Sequence, residues 1–139
     1  MEPKKYLQQY RTSIVRTKEI ADNLYELKAE AEALKNHEGQ RVKLDDAVSK
    51  YIDACDEAAS ELERLEALRI DIMHLIDNVT DDRMHSVLWR RYISGFTWEQ
   101  IAVSMSYTYR RVTQIHGDAL IKIGEMLAAR ERKPSQTAS

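Results

Sequence analysis

The stretch Thr97-Trp98-Glu99-Gln100-Ile101-Ala102-Val103-Ser104-Met105-Ser106-Tyr107-Thr108-Tyr109-Arg110-Arg111-Val112-Thr113-Gln114 decides the reading of this chain. Thr97 followed three residues on by Gln100 is a capping box, which satisfies two of the backbone N–H groups that a helix start leaves without partners. Ile101, Ala102 and Met105 then fall on one face of a short helix. Ser106-Tyr107 interrupts the run, and Thr108 offers a cap for a longer helix that turns Val112, Ile115, Ala119, Leu120, Ile123 and Leu127 inward. A small alanine in the first helix and an apolar residue early in the second suit the tight crossing of a helix-turn-helix.

Upstream, Thr80-Asp81-Asp82 supplies an N-cap candidate and two acids where a helix dipole favours them. The helix that follows is predicted to point Met84, Val87, Leu88, Tyr92 and Ile93 inward, to keep Arg83, Arg90 and Arg91 outside, and to end at Gly95. In a helix-turn-helix the first turns of the second helix meet base edges in the major groove. Here those turns read Tyr109-Arg110-Arg111-Val112-Thr113-Gln114. Arg pairs bidentately with guanine, Gln pairs with adenine, and Thr or Tyr bonds phosphate. The expected DNA contacts are therefore Tyr109, Arg110, Arg111, Thr113 and Gln114, with Thr97, Thr108, Arg90 and Arg91 as supporting contacts at or near the backbone.

Before residue 79 the pattern changes. Leu7, Tyr10, Ile14, Ile20, Leu24, Leu27, Ala31 and Leu34 recur at steps of mostly three and four. The run fails at Asn36-His37-Glu38-Gly39-Gln40, where Asn and Gly can cap and turn the chain. A second run follows at heptad spacing: Leu44, Val48, Tyr51, Cys55, Ala58, Leu62, Leu65, Ile72 and Leu75, with Arg69 in one slot. Two helices of about 33 residues, each about 50 Å long, joined by a short loop predict an antiparallel hairpin. The stripes of the two helices are expected to cover each other, and what is left over, including Ile52, Ala59 and Ile70, to pair with another subunit or a partner protein. A homo-oligomer formed through the hairpin, a dimer above all, is the expected assembly. Glu61, Glu63 and Glu66 are expected on a solvated face.

The fold class is all-α, with an antiparallel helical hairpin over 1–78, a trihelical helix-turn-helix domain over 79–133 and a flexible tail over 134–139. The charge is divided as the architecture is. Residues 1–79 hold 12 Lys/Arg against 17 Asp/Glu, and residues 80–139 hold nine against six. That basic excess is small, so DNA binding by one copy would be weak and sensitive to salt. The single cysteine, Cys55, and the polar start argue for a cytoplasmic protein without disulfides, and no stretch is long and apolar enough for a membrane span. The four histidines are scattered, no glycine-rich phosphate loop is present, and neither an enzyme nor a cofactor is expected. His116 is expected to pack against the preceding helices or to bond to a backbone carbonyl, and Trp89 and Trp98 to anchor the core.

Residues Leu88 to Ala102 resemble region four of bacterial sigma factors: a basic aromatic helix, a glycine, then a Thr-x-Glu-x-Ile-Ala helix. Arg91-Tyr92-Ile93, Thr97 to Ala102 and Ile115 to Leu120 are more closely similar to small phage and prophage regulators in the style of the ArpU and RinA late-gene group. The resemblance implies binding to double-stranded DNA, regulation of phage or prophage transcription in a bacterial cell, and contact with RNA polymerase. Asp118 stands where sigma factors often carry a basic residue. Two other readings remain open at this point: a small-terminase-like component of phage DNA packaging, and a helical interaction protein that binds no DNA.

Overall fold

The computed structural model describes residues 2–35 and 37–132. Asn36, with its expected capping role, and the tail at 134–139 lie outside the described residues. The architecture is all-α. A long antiparallel pair, α1 (Pro3–Leu34) and α2 (Arg41–Asp77), is followed by three shorter packed helices. These are α3 (Asp82–Leu88), which runs on into a π-helical turn at Trp89–Ile93, then α4 (Trp98–Met105) and α5 (Tyr109–Arg132). Pro3 opens α1 at the position where its missing N–H and fixed φ do no harm. Gly39, at φ +79°, turns the chain before α2.

Two compact units make up the described chain. The first takes residues 2–12 and 68–132, so it draws in both hairpin ends that a boundary at 78/79 would assign elsewhere. It holds two buried clusters. The larger joins Leu7 of α1 and Ile72, Leu75 and Ile76 of α2 to Leu88, Tyr92, Ala119, Ile123 and Leu127. The smaller joins Val87 to Ile101 and Ala102 of α4 and to Val112 and Ile115 of α5. The expected inward residues of the C-terminal helices thus form a real core, and α5 contributes to both clusters. An ionic clasp lies at the edge of this unit: Arg130 donates to both carboxylate oxygens of Asp71, at 2.7 and 2.9 Å, and the Tyr6 hydroxyl donates to the same carboxylate. The guanidinium, first of all, holds the Asp71 carboxyl below its usual range.

The second unit, residues 13–67, is the remainder of the hairpin. On α1 the expected stripe is at least half-buried here throughout, at Ile14, Ile20, Leu24, Leu27, Ala31 and Leu34. On α2 the frame differs from expectation by one position at two layers, 47 in place of 48 and 61 in place of 62, while Cys55, expected on the seam, is half-buried beside Ala54. The seam runs Leu44, Ala47, Tyr51, Ala54, Ala58, Glu61 and Leu65, all buried or half-buried. Val48 and Leu62, read as seam residues, are exposed, and Glu61, read as solvated, is half-buried. Both frames share positions 44, 51, 58 and 65, so heptad spacing alone does not choose between them. At 47 the structure turns the smaller side chain to the seam, and at 61 it turns a glutamate there in place of Leu62, so size alone does not choose between them either.

Candidate nucleic-acid interface

The candidate surface is built on the first unit, and each of its helix starts is locally fixed. The Asp81 carboxylate, rather than Thr80, caps α3, accepting from the backbone N–H groups of Arg83 and Met84 at 3.0 Å each. Those bonds stabilise its charged form and lower its pKa. At the far end the wider π turn closes with the Ser94 N–H bonded to the Trp89 carbonyl at 3.0 Å and the Phe96 N–H to the Arg90 carbonyl at 2.8 Å. Gly95 follows at φ +77°, and a Cβ there would run into the Arg11 guanidinium. The capping box that starts α4 is complete. The Thr97 N–H donates to Gln100 Oε1 at 2.8 Å, and the Gln100 N–H donates to Thr97 Oγ1 at 3.1 Å.

Helix α4 ends at Ser106, the one described non-glycine residue at positive φ, +59°. This left-handed cap reverses the chain in three residues, and the Tyr107 N–H returns to the Ala102 carbonyl at 3.0 Å. Thr108 then caps α5, its Oγ1 accepting from the Arg111 N–H at 3.1 Å. From that start α5 divides cleanly. Val112, Ile115, His116 and Ala119 are buried, while Tyr109, Arg110, Arg111 and Gln114 are exposed. A polar, cationic first turn and a half therefore projects from a helix whose opposite side is locked into both clusters. No acidic side chain lies in that stretch, and the backbone N–H groups of a helix start add to its attraction for anions.

The remaining expected contacts are differently placed. Thr97 and Thr108 are exposed, but their hydroxyls accept the capping bonds. Thr113 is half-buried, and its hydroxyl donates to the Arg110 carbonyl at 2.9 Å. Arg90 and Arg91, expected outside, are half-buried. Arg91 donates to the Phe96 carbonyl at 3.1 Å and lies over the Trp98 ring with 4.3 Å to its centroid. Arg90 lies 6.0 Å from the Phe96 ring centroid, and its Nε is buried without a partner. The correction has a physical source: guanidinium groups stack on aromatic faces, and Phe96 and Trp98 follow closely enough in sequence to capture them. Arg83 does remain exposed, 3.9 Å from the Asp81 carboxylate.

Sequence reading missed how this face continues. Gly117, Asp118, Ile121 and Lys122 are exposed along α5 beyond Gln114. A Cβ on Gly117 would meet nothing, so its place there is not explained by packing. Sequence reading also missed the partner that His116 finds. His116 is buried, with Nε2 2.7 Å from the Tyr92 hydroxyl and its ring edge-on to Trp98 at 4.5 Å between centroids. Burial, reinforced by Lys4 and Arg91, lowers the His116 pKa to about 4, and burial raises that of Tyr92 to about 12. At neutral pH the uncharged imidazole therefore accepts the Tyr92 O–H bond. Through it α5 is tied to the π turn and, by the Trp98 ring, to the start of α4.

Among the described residues no helix is long and apolar enough to cross a membrane. Comparison of the chain with protein families, with curated proteins and with solved structures finds no match.

Proposed function

We propose that this chain binds double-stranded DNA through α4, the Ser106 turn and α5, and that it regulates transcription by doing so. The observation that carries the reading is the division of α5. Tyr109, Arg110, Arg111 and Gln114 are exposed in its first turns while Val112 and Ile115 hold the opposite side in the core. That is the arrangement by which a helix-turn-helix presents base-reading side chains to the major groove. Arg110 and Arg111 are the candidates for guanine, and Gln114 for adenine. Tyr109 lies where a hydroxyl reaches phosphate. Asp118 repels DNA at the next turn, so the reading surface is confined to residues 108–114, with exposed Arg83 in reserve beside it. Arg90 and Arg91 serve this reading by holding Phe96 and Trp98, and through them the start of α4.

The likeness of Leu88–Ala102 to sigma region four and of the C-terminal half to late-gene regulators makes regulation of phage or prophage genes the fitting role. RNA polymerase is the further partner it suggests. Genome-wide mapping of DNA bound by the full chain in a bacterial cell tests the reading. Discrete enriched sites upstream of genes support it. Recovery of no sequence above background, with the protein expressed and folded, would overturn it.

A further inference from the structure

Helix α2 carries more apolar surface than α1 covers. Beside its seam runs a second stripe, also at heptad spacing: Val48, Ile52, Cys55, Ala59 and Leu62. Ile52 is 53% exposed, Leu62 52% and Val48 40%. Branched apolar side chains in that state, in line over four turns of one helix, form a contiguous patch rather than scattered surface residues. The same heptad frame bounds it with charge, at Arg41 and Asp45 before it and at Glu66 after it. Charge is also graded along the helix. Residues 41–50 hold three Lys/Arg and two Asp, whereas residues 51–66 hold one Arg and six Asp/Glu.

We propose that this stripe is the contact between two copies of the chain, with the α2 helices antiparallel. Orientation follows from the charge gradient. Running the helices in opposite directions about Cys55 sets residues 41–50 of one copy, with three Lys/Arg and two Asp, against residues 60–69 of the other, with three Glu and two Arg, at both ends of the contact. A parallel pair would set the acid-rich segment against itself along its whole length. A two-fold contact requires one patch to be complementary to itself on reversal. A segment of small positive excess at 41–50, an apolar stripe and a segment of small negative excess at 60–69 on a single helix meet that requirement without a second kind of protein. The small, half-buried Cys55 lies at the middle of the stripe, with Ile52 and Ala59 on either side of it, and Val48 and Leu62 close it. The contact stands independently of DNA binding. Its consequence for DNA binding is that a module with a small basic excess would act in pairs, doubling the phosphates neutralised per complex.

Sedimentation equilibrium of the full chain at micromolar concentration is expected to give twice the chain mass. Ile52→Lys/Leu62→Lys, at two exposed positions, is expected to raise the dissociation constant about 100-fold or more, by burying unpaired charge at the contact, with helicity by circular dichroism retained. Orientation is read by bismaleimide cross-linking in a Cys55→Ala background. Val48→Cys chains mixed with Leu62→Cys chains should cross-link, and Val48→Cys chains alone should not. A monomeric parent chain, or a dimer unaffected by the two lysines, would overturn the contact. Cross-linking of Val48→Cys chains to one another would overturn the antiparallel arrangement. Should the double-lysine chain fail to fold, the cross-linking pair decides the question alone.

Discussion

The two units of this molecule use the same helical material in opposite ways. In the unit formed by residues 2–12 and 68–132, large side chains such as Leu7, Ile72, Leu88, Tyr92, Ile101 and Ile123 are completely or almost completely buried. Among the described residues of the unit 13–67 the buried ones are two alanines, Ala47 and Ala58, and every larger one keeps some contact with solvent. Two helices can cover only one side of each other, whereas five elements converging on α5 enclose a volume. The first unit therefore seats its exposed side chains on a packed core, which suits the reading surface proposed for it. The second has surplus apolar surface and little core of its own, which suits a segment completed by another copy.

The sharpest way to break this comparison is to cut through the first unit, at the boundary suggested by charge and composition. A chain beginning at residue 79 lacks Leu7, Ile72, Leu75 and Ile76, all of which are in the larger cluster with Tyr92, Ile123 and Leu127. It is expected to show no cooperative thermal transition, and a melt like that of the full chain would refute the shared core. Point substitutions come next. Leu88→Ala or Ile101→Ala, at fully buried sites, should each cost about 2–5 kcal/mol. Leu24→Ala, at a half-buried site of the hairpin, should cost less than half as much. Equal losses in urea titrations would contradict the contrast between the units.

Acid sharpens the comparison further. His116 has a pKa of about 4 in the folded chain against an ordinary value of 6.5. Between those values the unfolded chain binds the proton and the folded chain does not, so stability rises with pH. The contribution is complete above about pH 6.5, amounts to about 2–3 kcal/mol, and is lost as pH falls toward 4. Melting temperature should drop over that window in the parent chain and drop less in His116→Gln. A parallel decline in both would remove His116 as its source. The smallest effect is expected at the partly exposed clasp, where Asp71→Asn should cost no more than about 1 kcal/mol. A loss of several kcal/mol there would mean that the first unit depends on the clasp rather than on its apolar clusters.

Much of the fold can be read from the sequence where one signal has one solution. Thr97 with Gln100, Thr108 before Tyr109, and Gly95 each fix a helix end by local geometry, and each does so in the structure. The helical period separates Val112 and Ile115 from Arg110 and Gln114 without reference to any neighbour. The rest depends on what lies opposite. Val48 and Ala47 are equivalent in a heptad pattern, and only the fold shows that Ala47 is the one buried. Arg90 and Arg91 read as surface charges until Phe96 and Trp98 fold back beneath them. Tyr92 and His116, 24 positions apart in sequence, gave no signal that they would pair. A π turn at Trp89–Ile93 is invisible to a rule built on a period of 3.6.

The central claim is that α5 reads DNA with its first turns. The measurement that tests it most directly is fluorescence anisotropy of the full chain on its best genomic fragment and on random duplex, for the parent and for Arg110→Ala/Arg111→Ala. Each base-reading arginine is expected to contribute about 1–3 kcal/mol on the specific fragment and much less on random DNA. The double variant should therefore lose most of its preference between the two, with circular dichroism unchanged. Unchanged affinity and unchanged preference in a folded double variant would contradict the assignment of α5 as the reading helix.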